Sequence, residues 1–203
     1  MIMALVGLTS LGPIMSRVEH PKYQVQSSEG KIEIRKYNSM ITAEVTVQGE
    51  RKEAIRQGFR LLADYIFGKN LNNSSISMTA PVTQQQNQNI AMTAPVSQFV
   101  ADDGWTINFI MPAEYSIDTL PKPNNNKVIL KEIPSKDFAV IQFSGINSNK
   151  NIASNENKLK SYLLEKGINV LSDPVYAFYN PPWTLPLLRR NEVLIEIDKS
   201  NKQ

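Results

Sequence analysis

The chain contains no cysteine and only one histidine among its 203 residues. Without thiols it forms no disulfides, no thiolate metal sites and no cysteine nucleophile. The single imidazole, His20, also excludes a metal site built from several histidines. The GxSxG, P-loop and GxGxxG patterns of common hydrolases and nucleotide-binding proteins are missing too. These absences predict a protein that is not an enzyme and has no resident metal site.

The chain also has no large excess of charge of either sign. It contains 22 Lys and Arg residues and 19 Asp and Glu residues, for a net charge of +3. The cations are spread along the chain and form no basic block. No nucleic-acid partner is therefore expected. A chain of this length suits a single domain.

Residues 1–15 are apolar and uncharged. The run is shorter than the about 20 residues of a membrane-spanning helix, and Gly12-Pro13 would interrupt one. We interpret residues 1–17 as an N-terminal arm and residues 18–203 as one domain. The arm is compatible with a secretory signal, with peripheral membrane association through residues 1–15, or with neither. The sequence does not decide between export, membrane tethering and a cytoplasmic location.

The region from 31 to 68 changes its hydrophobic period from that of a strand to that of a helix. Residues 31–37 alternate apolar and charged side chains, and residues 40–48 are rich in β-branched residues, so both are predicted strands. Residues 50–68 follow as a predicted amphipathic helix that ends at a glycine. Its predicted core-facing stripe consists of four apolar residues at helical spacing: Ile55, Phe59, Leu62 and Ile66.

The same order of elements returns later in the chain. The second half is predicted to contain strands and one helix at 128–133, 138–145, 154–166 (the helix), 175–179 and 192–198. The first half matches if 105–111 is its last strand. We therefore predict an α+β fold in which strand-strand-helix-strand-strand occurs twice, with an extra strand inserted in the first copy. The expected architecture is a distorted antiparallel β-barrel of about eight or nine strands, with pseudo-twofold symmetry and two flanking α-helices.

One phrase of the sequence occurs twice, at residues 76–84 and again at residues 90–98. Apolar and small residues alternate in both copies, as is typical of strands, and a Gln- and Asn-rich run joins them. We interpret the repeat as a long-looped hairpin that widens the sheet, not as a catalytic motif.

A mixed apolar and basic surface is predicted on one side of the first helix. At 100° per residue, one flank of the predicted stripe carries Lys52, Arg56, Ala63 and Phe67, with Arg60 just beyond. A flat, apolar dianion would need such a surface, with a wall for its ring and cations for its carboxylates. An ordinary amphipathic boundary covered by long basic side chains produces the same pattern. Periodicity alone favours the ordinary boundary.

Five segments resemble successive motifs of the SOUL haem-binding family and occur in the family's order: YQVQSSEGKIEIRKY, GFRLLADYIFGKN, ISMTAPV, TLPKPNNNKV and RRNEVLIEI. They span roughly residues 21–198, and the doubled MTAPV is especially similar to bacterial members. The resemblance implies a SOUL-type domain that binds haem or a related tetrapyrrole without a covalent bond, for buffering, transport or sensing.

The resemblance also implies where the ligand lies. The family's pocket lies against the first helix, with a basic residue corresponding to Arg56 and an apolar residue corresponding to Phe59. Some members have a lysine where this chain has Asp64, and another basic residue is replaced here by the apolar run 184–188. These departures leave weak haem binding or a different ligand as alternatives. The candidate haem-binding residues are Lys52, Arg56, Phe59, Arg60, Ala63 and Phe67.

No residue is assigned to haem iron. His20 precedes the predicted fold, and Met78 and Met92 are explained as strand residues that face the core. We expect contact with the ring to dominate over coordination.

Two other interpretations stay open. Arg189, Arg190 and Glu192 near the last strand are most simply a structural ion-pair network. Together with Tyr176 and Tyr179, Arg190 and Glu192 would otherwise serve an enzyme acting on a small hydrophobic or tetrapyrrole substrate. The third interpretation is a structural or interaction module.

Overall fold

The computed structural model describes residues 19–86, 104–181 and 183–198. The predicted arm, residues 1–17, and the second copy of the repeated phrase, residues 90–98, lie outside this range. Within it, no helix is long and apolar enough to cross a membrane.

Ten strands and two α-helices make up the described fold. The strands are β1 (Tyr23–Glu29), β2 (Ile32–Tyr37), β3 (Met40–Gln48), β4 (Val82–Gln86), β5 (Gly104–Ile110), β6 (Ile129–Ile133), β7 (Lys136–Phe143), β8 (Asn169–Val170), β9 (Val175–Phe178) and β10 (Asn191–Asp198). The helices are α1 (Arg51–Ile66) and α2 (Asn149–Glu165). These elements confirm the predicted α+β class.

All ten strands belong to one antiparallel sheet that curls into a half-barrel. Nine of them lie in the order β1-β2-β7-β10-β9-β4-β5-β3-β6, and β8 pairs with β10. In the described ranges the end strands β1 and β6 do not pair with each other, so the curled sheet is not closed. The helices cover one face, α1 over β3 and β5, and α2 over β7 and β10.

The predicted pseudo-twofold symmetry is visible in the strand order. Exchanging β2, β3, β4 and β5 for β6, β7, β9 and β10 reverses the order of those strands in the sheet. The axis therefore passes between the central strands β4 and β9. The described extra strands are β1 and the short β8, neither of which the sequence pattern predicted.

The second helix begins earlier than its apolar pattern predicts. It starts at Asn149 because Ser148 caps it, its side chain accepting a hydrogen bond from the backbone N–H of Asn151. The first turn is polar, so hydrophobic periodicity alone assigns it to the preceding loop.

The predicted core stripe of α1 is wrong at Phe59, which is 39% exposed. The side chains that α1 buries are Ala54, Gly58, Leu62, Tyr65 and Ile66. Their centre is rotated by roughly 60° from the predicted stripe, at 100° per residue. A Cβ added at Gly58 would lie 2.6 Å from Cδ1 of the buried Ile107. The smallest residues of α1 thus form the closest contact with the sheet, and a hydrophobicity pattern does not register glycine as a core residue.

The first copy of the repeated phrase is only partly a strand. Its strand begins at Val82, and the preceding residues do not alternate as predicted. Met78 is 37% exposed, whereas Thr79 is buried and donates its hydroxyl hydrogen bond to the carbonyl of Ile110. Thr79 is buried in place of Met78 because its hydroxyl supplies the hydrogen bond that the buried carbonyl of Ile110 needs.

Candidate functional site

Five of the six predicted binding residues lie on the part of α1 that faces away from its sheet contacts, and Phe59 lies at the border of that part, beside the sheet. Lys52, Arg56, Arg60 and Phe67 are exposed, and Phe59 is partly exposed; Ala63 is half-buried between them. The helix thus brings together the residues that the sequence placed on one flank, with Phe59 of the predicted stripe beside them. Phe67 is the C-cap residue, so the surface runs from the first turn of α1 to its end.

An apolar line follows the length of this surface. Phe59, Ala63 and Phe67 are spaced four residues apart, which aligns them along a helix. Phe67 is 68% exposed, so a large aromatic ring faces solvent next to the half-buried Ala63. Because alanine is small, a flat ligand could approach the helix backbone between the two phenylalanines.

Phe59 connects this line to the core. Its ring packs edge-on against Phe109 of β5, with 5.2 Å between the ring centroids. Phe109 is only 3% exposed. The edge-to-face contact holds the Phe59 ring at the flank of α1, partly exposed beside the sheet.

Arg56, in the cationic part of the surface, can change its carboxylate partner. Arg56 donates a hydrogen bond of 2.8 Å to Glu53, and both side chains are largely exposed, 79% and 63%. This hydrogen bond lowers the pKa of Glu53 and raises that of Arg56. An exposed pair of this kind contributes little to stability, so a ligand carboxylate can replace Glu53 at small cost.

Two departures from the family pattern lie at positions that are exposed or partly exposed. Asp64, where some family members carry a lysine, pairs with Lys69 at 2.9 Å. The apolar run 184–188 includes Leu185, Leu187 and Leu188, all at least 68% exposed. Neither position supplies the cation that the resemblance associates with it.

His20 lies on the opposite side of the sheet from α1. Its ring packs against Tyr179, with 5.6 Å between centroids. Tyr179 belongs with Tyr37 and Leu194 to the apolar cluster on the concave face, away from both helices. His20 is therefore remote from the surface on α1. In the described part of the chain, no three His, Asp or Glu side chains are grouped so that they could hold a metal ion.

Glu192 is the centre of a buried polar network. Its carboxylate accepts hydrogen bonds from Arg35, Arg190 and the hydroxyl of Tyr179, and it has no exposed surface. Burial, followed by the Glu192 charge, raises the pKa of Tyr179, which stays a neutral donor. Such complete pairing is typical of a structural network and leaves Glu192 no lone pair directed at a substrate.

A cavity of about 340 Å³ lies within the concave face, next to Tyr37 and Tyr179. Its carboxylates are paired with lysines, Glu196 with Lys136 at 2.6 Å and Glu44 with Lys131 at 3.8 Å. None of the six residues predicted on α1 lines this cavity.

Arg51 is a candidate that sequence reasoning missed. It begins α1, yet its guanidinium lies under the helix at the sheet and not on the outer surface with Arg56. A signal for it exists in the sequence, because a helix start favours carboxylates and disfavours cations. The N-terminus of α1 therefore does not stabilise the positive charge at this position.

Comparison with known proteins places the chain in a family. The family model described as SOUL heme-binding protein matches residues 18–196. Human heme-binding protein 2 is 33% identical over 178 residues, which covers 86% of this chain and 82% of the human protein. Mouse heme-binding protein 2 is 30% identical over 172 residues, which covers 83% of this chain and 79% of the mouse protein.

Solved structures share the fold at low sequence identity. The C-terminal domain of EcmrR superposes with a TM-score of 0.61 at 10% identity, covering 87% of this chain and 98% of that domain. A hydrolase from Listeria innocua superposes with a TM-score of 0.56 at 10% identity, covering 85% of this chain and 94% of its own. These two likenesses concern the fold alone, whereas the family match spans nearly the whole described domain. The chain belongs to the SOUL heme-binding protein family.

Proposed function

We propose that the chain binds haem or a related tetrapyrrole on the outer surface of α1. The observation that carries the proposal is the solvent-accessible line of Phe59, the half-buried Ala63 and Phe67, bordered by Arg56 and the other cations of the helix. A tetrapyrrole has a flat apolar ring and peripheral carboxylates. The surface offers a complement to each part, because aromatic rings stack on flat ligands and guanidinium groups pair with carboxylates.

Different residues of α1 would contact the ring and the carboxylates of the ligand. The ring would lie over Ala63, with Phe59 and Phe67 on either side. Lys52, Arg56 and Arg60 would take the carboxylates, which stay near solvent. No histidine lies on α1, so the affinity would come from ring contact and charge.

Nearby carboxylates would moderate the affinity. Glu53 already holds Arg56, and Asp64 lies next to Ala63 with Lys69 as its partner. Each carboxylate offsets part of the positive charge that a dianionic ligand would meet. The binding is therefore reversible, which suits buffering, transport or sensing of a tetrapyrrole better than permanent retention.

Titration with hemin tests the proposal. We expect a shift of the Soret band and quenching of tryptophan fluorescence at micromolar protein. Metal-free protoporphyrin should bind with similar affinity, because no protein residue on α1 ligates the iron. Absence of both signals would overturn the proposal. A hemin affinity far above that of protoporphyrin would overturn the contact-dominated mode.

A further inference from the structure

A second cavity lies on the pseudo-twofold axis, between the N-terminal ends of the two helices. Its volume is about 680 Å³, within the range of small-molecule sites. The central strands contribute Gln86 and Tyr176, β5 contributes Trp105, and the helices contribute Arg51 and Asn149. Arg51 and Asn149 are the first residues of α1 and α2. They meet across the axis, where Nη1 of Arg51 donates a hydrogen bond of 2.9 Å to Oδ1 of Asn149.

The guanidinium of Arg51 is only partly satisfied. Its Nε and Nη2 are shielded from solvent and have no hydrogen-bond partner among the described residues. Arg51 also forms no ion pair with any carboxylate in those ranges. The rings of Trp105 and Phe178 lie 5.7 and 5.9 Å from its Cζ, at the outer limit of a cation–π contact. A charged group held in this way is costly, because each unpaired N–H has lost its water.

The buried Arg35 and the partly buried Arg190 show how this chain compensates such a charge elsewhere. Arg35 and Arg190 both pair with Glu192. Two carboxylate residues, Glu50 and Glu156, line the cavity, and neither forms an ion pair with Arg51 in the described ranges. Glu50 is exposed at the rim, and Glu156 does not perform this role for Arg51. It accepts hydrogen bonds from Tyr176 and from Lys160 instead, so its charge is already balanced.

The surroundings favour a negative partner for Arg51. Two helix N-termini meet at the cavity, and each carries a partial positive charge from its free N–H groups. Ser148 caps α2, but the side chain of Glu50 makes no capping bond to α1 and is exposed at the rim. Trp105 and Tyr176 add an apolar aromatic wall to the same cavity.

We propose that this cavity binds the oxyanion group of a small molecule, a carboxylate or a phosphate, on Arg51. The planar guanidinium would present Nε and Nη2 to two oxygens, the arrangement that arginine adopts with both groups. An apolar or aromatic body attached to the anion would lie against Trp105 and Tyr176. The site is independent of the tetrapyrrole surface, since Arg51 faces the sheet and Arg56 faces solvent.

Anion titration of the full chain tests the site, with benzoate and inorganic phosphate as probes and chloride at matched ionic strength as reference. The readouts are the Tm and the fluorescence of Trp105, recorded in a Trp183→Phe background because Trp183 is 83% exposed. We expect at least one probe to raise the Tm and change the fluorescence in a saturable manner. Tighter binding of benzoate than of phosphate would identify an aromatic carboxylate as the ligand class. Tighter binding of phosphate would identify a phosphate.

Two variants assign the response to Arg51. Arg51→Gln should weaken the binding at least about tenfold, the effect of losing a charge-assisted pair, and Arg51→Lys should retain part of it. Lys150→Gln is the matched control, because Lys150 is an exposed cation beside Asn149 that does not line the cavity. Hemin binding should be unchanged in Arg51→Gln, so failure here is distinguishable from failure of the proposed function. The proposal is overturned if no probe exceeds chloride, or if Arg51→Gln responds like the unmodified chain.

Discussion

Arg35 and Glu192, 157 residues apart in the sequence, form an ion pair whose side chains are 2% and 0% exposed. Their shortest nitrogen–oxygen distance is 3.1 Å. Burial alone would lower the pKa of Arg35, but the charge of Glu192 raises it above the ordinary value of arginine. The pair joins β2 to β10 across the intervening β7, so it connects the first half of the chain with the last strand.

Glu192→Gln should destabilise the fold by about 3 kcal/mol, because it removes the Glu192 charge from the buried Arg35 and the partly buried Arg190. Urea denaturation measures the change in the free energy of unfolding. Glu132→Gln is the matched control, since Glu132 is exposed on β6 and its loss should change stability by less than about 0.5 kcal/mol. A loss below about 1 kcal/mol for Glu192→Gln would show that the network is not structural.

Tyr65 should make the fold sensitive to alkaline pH. It is 1% exposed and donates its hydroxyl to the carbonyl of Pro121 at 2.7 Å. Burial raises its pKa to about 12, whereas an unfolded tyrosine titrates near about 10. Between these values the unfolded state loses a proton that the folded state keeps, so stability falls as the pH rises. Tyr65→Phe should flatten this slope by up to about 1.4 kcal/mol per pH unit. Unfolding curves from pH 8 to 12 measure it, and identical slopes in both proteins would contradict the prediction.

Arg56→Ala should weaken hemin binding roughly 5–30-fold, the effect of losing one partly exposed charge-assisted hydrogen bond. Thermal stability should hardly change, because Arg56 is exposed and pairs with the likewise exposed side chain of Glu53. Lys158→Ala, an exposed cation on α2, is the control and should bind hemin normally. Unchanged hemin affinity in Arg56→Ala would remove this residue from the site.

Phe59→Ala and Phe67→Ala should separate stability from binding. Phe59 packs on Phe109 but is partly exposed, so its loss should cost about 1–2 kcal/mol, less than the about 3–5 of a buried phenylalanine. Phe67 is more exposed, and its loss should weaken hemin binding with little effect on stability. Leu164→Ala, at an 84% exposed position on α2, controls for general surface hydrophobicity. Normal hemin binding in both phenylalanine variants would contradict the proposed surface.

Asp64→Lys should tighten hemin binding, because it replaces a carboxylate beside Ala63 with the cation that some family members carry. The lost partner, Lys69, is exposed, so the cost in stability should be small. Asp64→Asn separates removal of negative charge from gain of positive charge. Competition with protoporphyrin measures the hemin affinity of each variant. Weaker hemin binding by Asp64→Lys than by Asp64→Asn would refute a role for charge at this position.

The sequence by itself determined the α+β class, the duplicated order of elements and the helical surface that carries Arg56 and Phe67. These features are local, because the strand period of two and the helix period of 3.6 are written in adjacent residues. Family motifs then identified the family, whose model matches residues 18–196.

Tertiary structure decided which side of α1 is buried. Hydrophobic periodicity placed Phe59 in the core, but the close approach of Gly58 to Ile107 turns the helix so that small residues meet the sheet. The strand β1 also depends on its partner. Its residues are mostly exposed and show no buried alternation, and pairing with β2 makes it a strand.

The two polar centres likewise arise only in three dimensions. Glu192 obtains its partner from a strand 157 residues away, and Arg51 meets Asn149 from 98 residues away at the pseudo-twofold axis. The sequence pattern does not predict either contact, because long-range pairing depends on how the sheet curls and where the helices start. The sequence therefore determined the elements and their outer surfaces, while packing decided which charges are buried and which of them lack a partner.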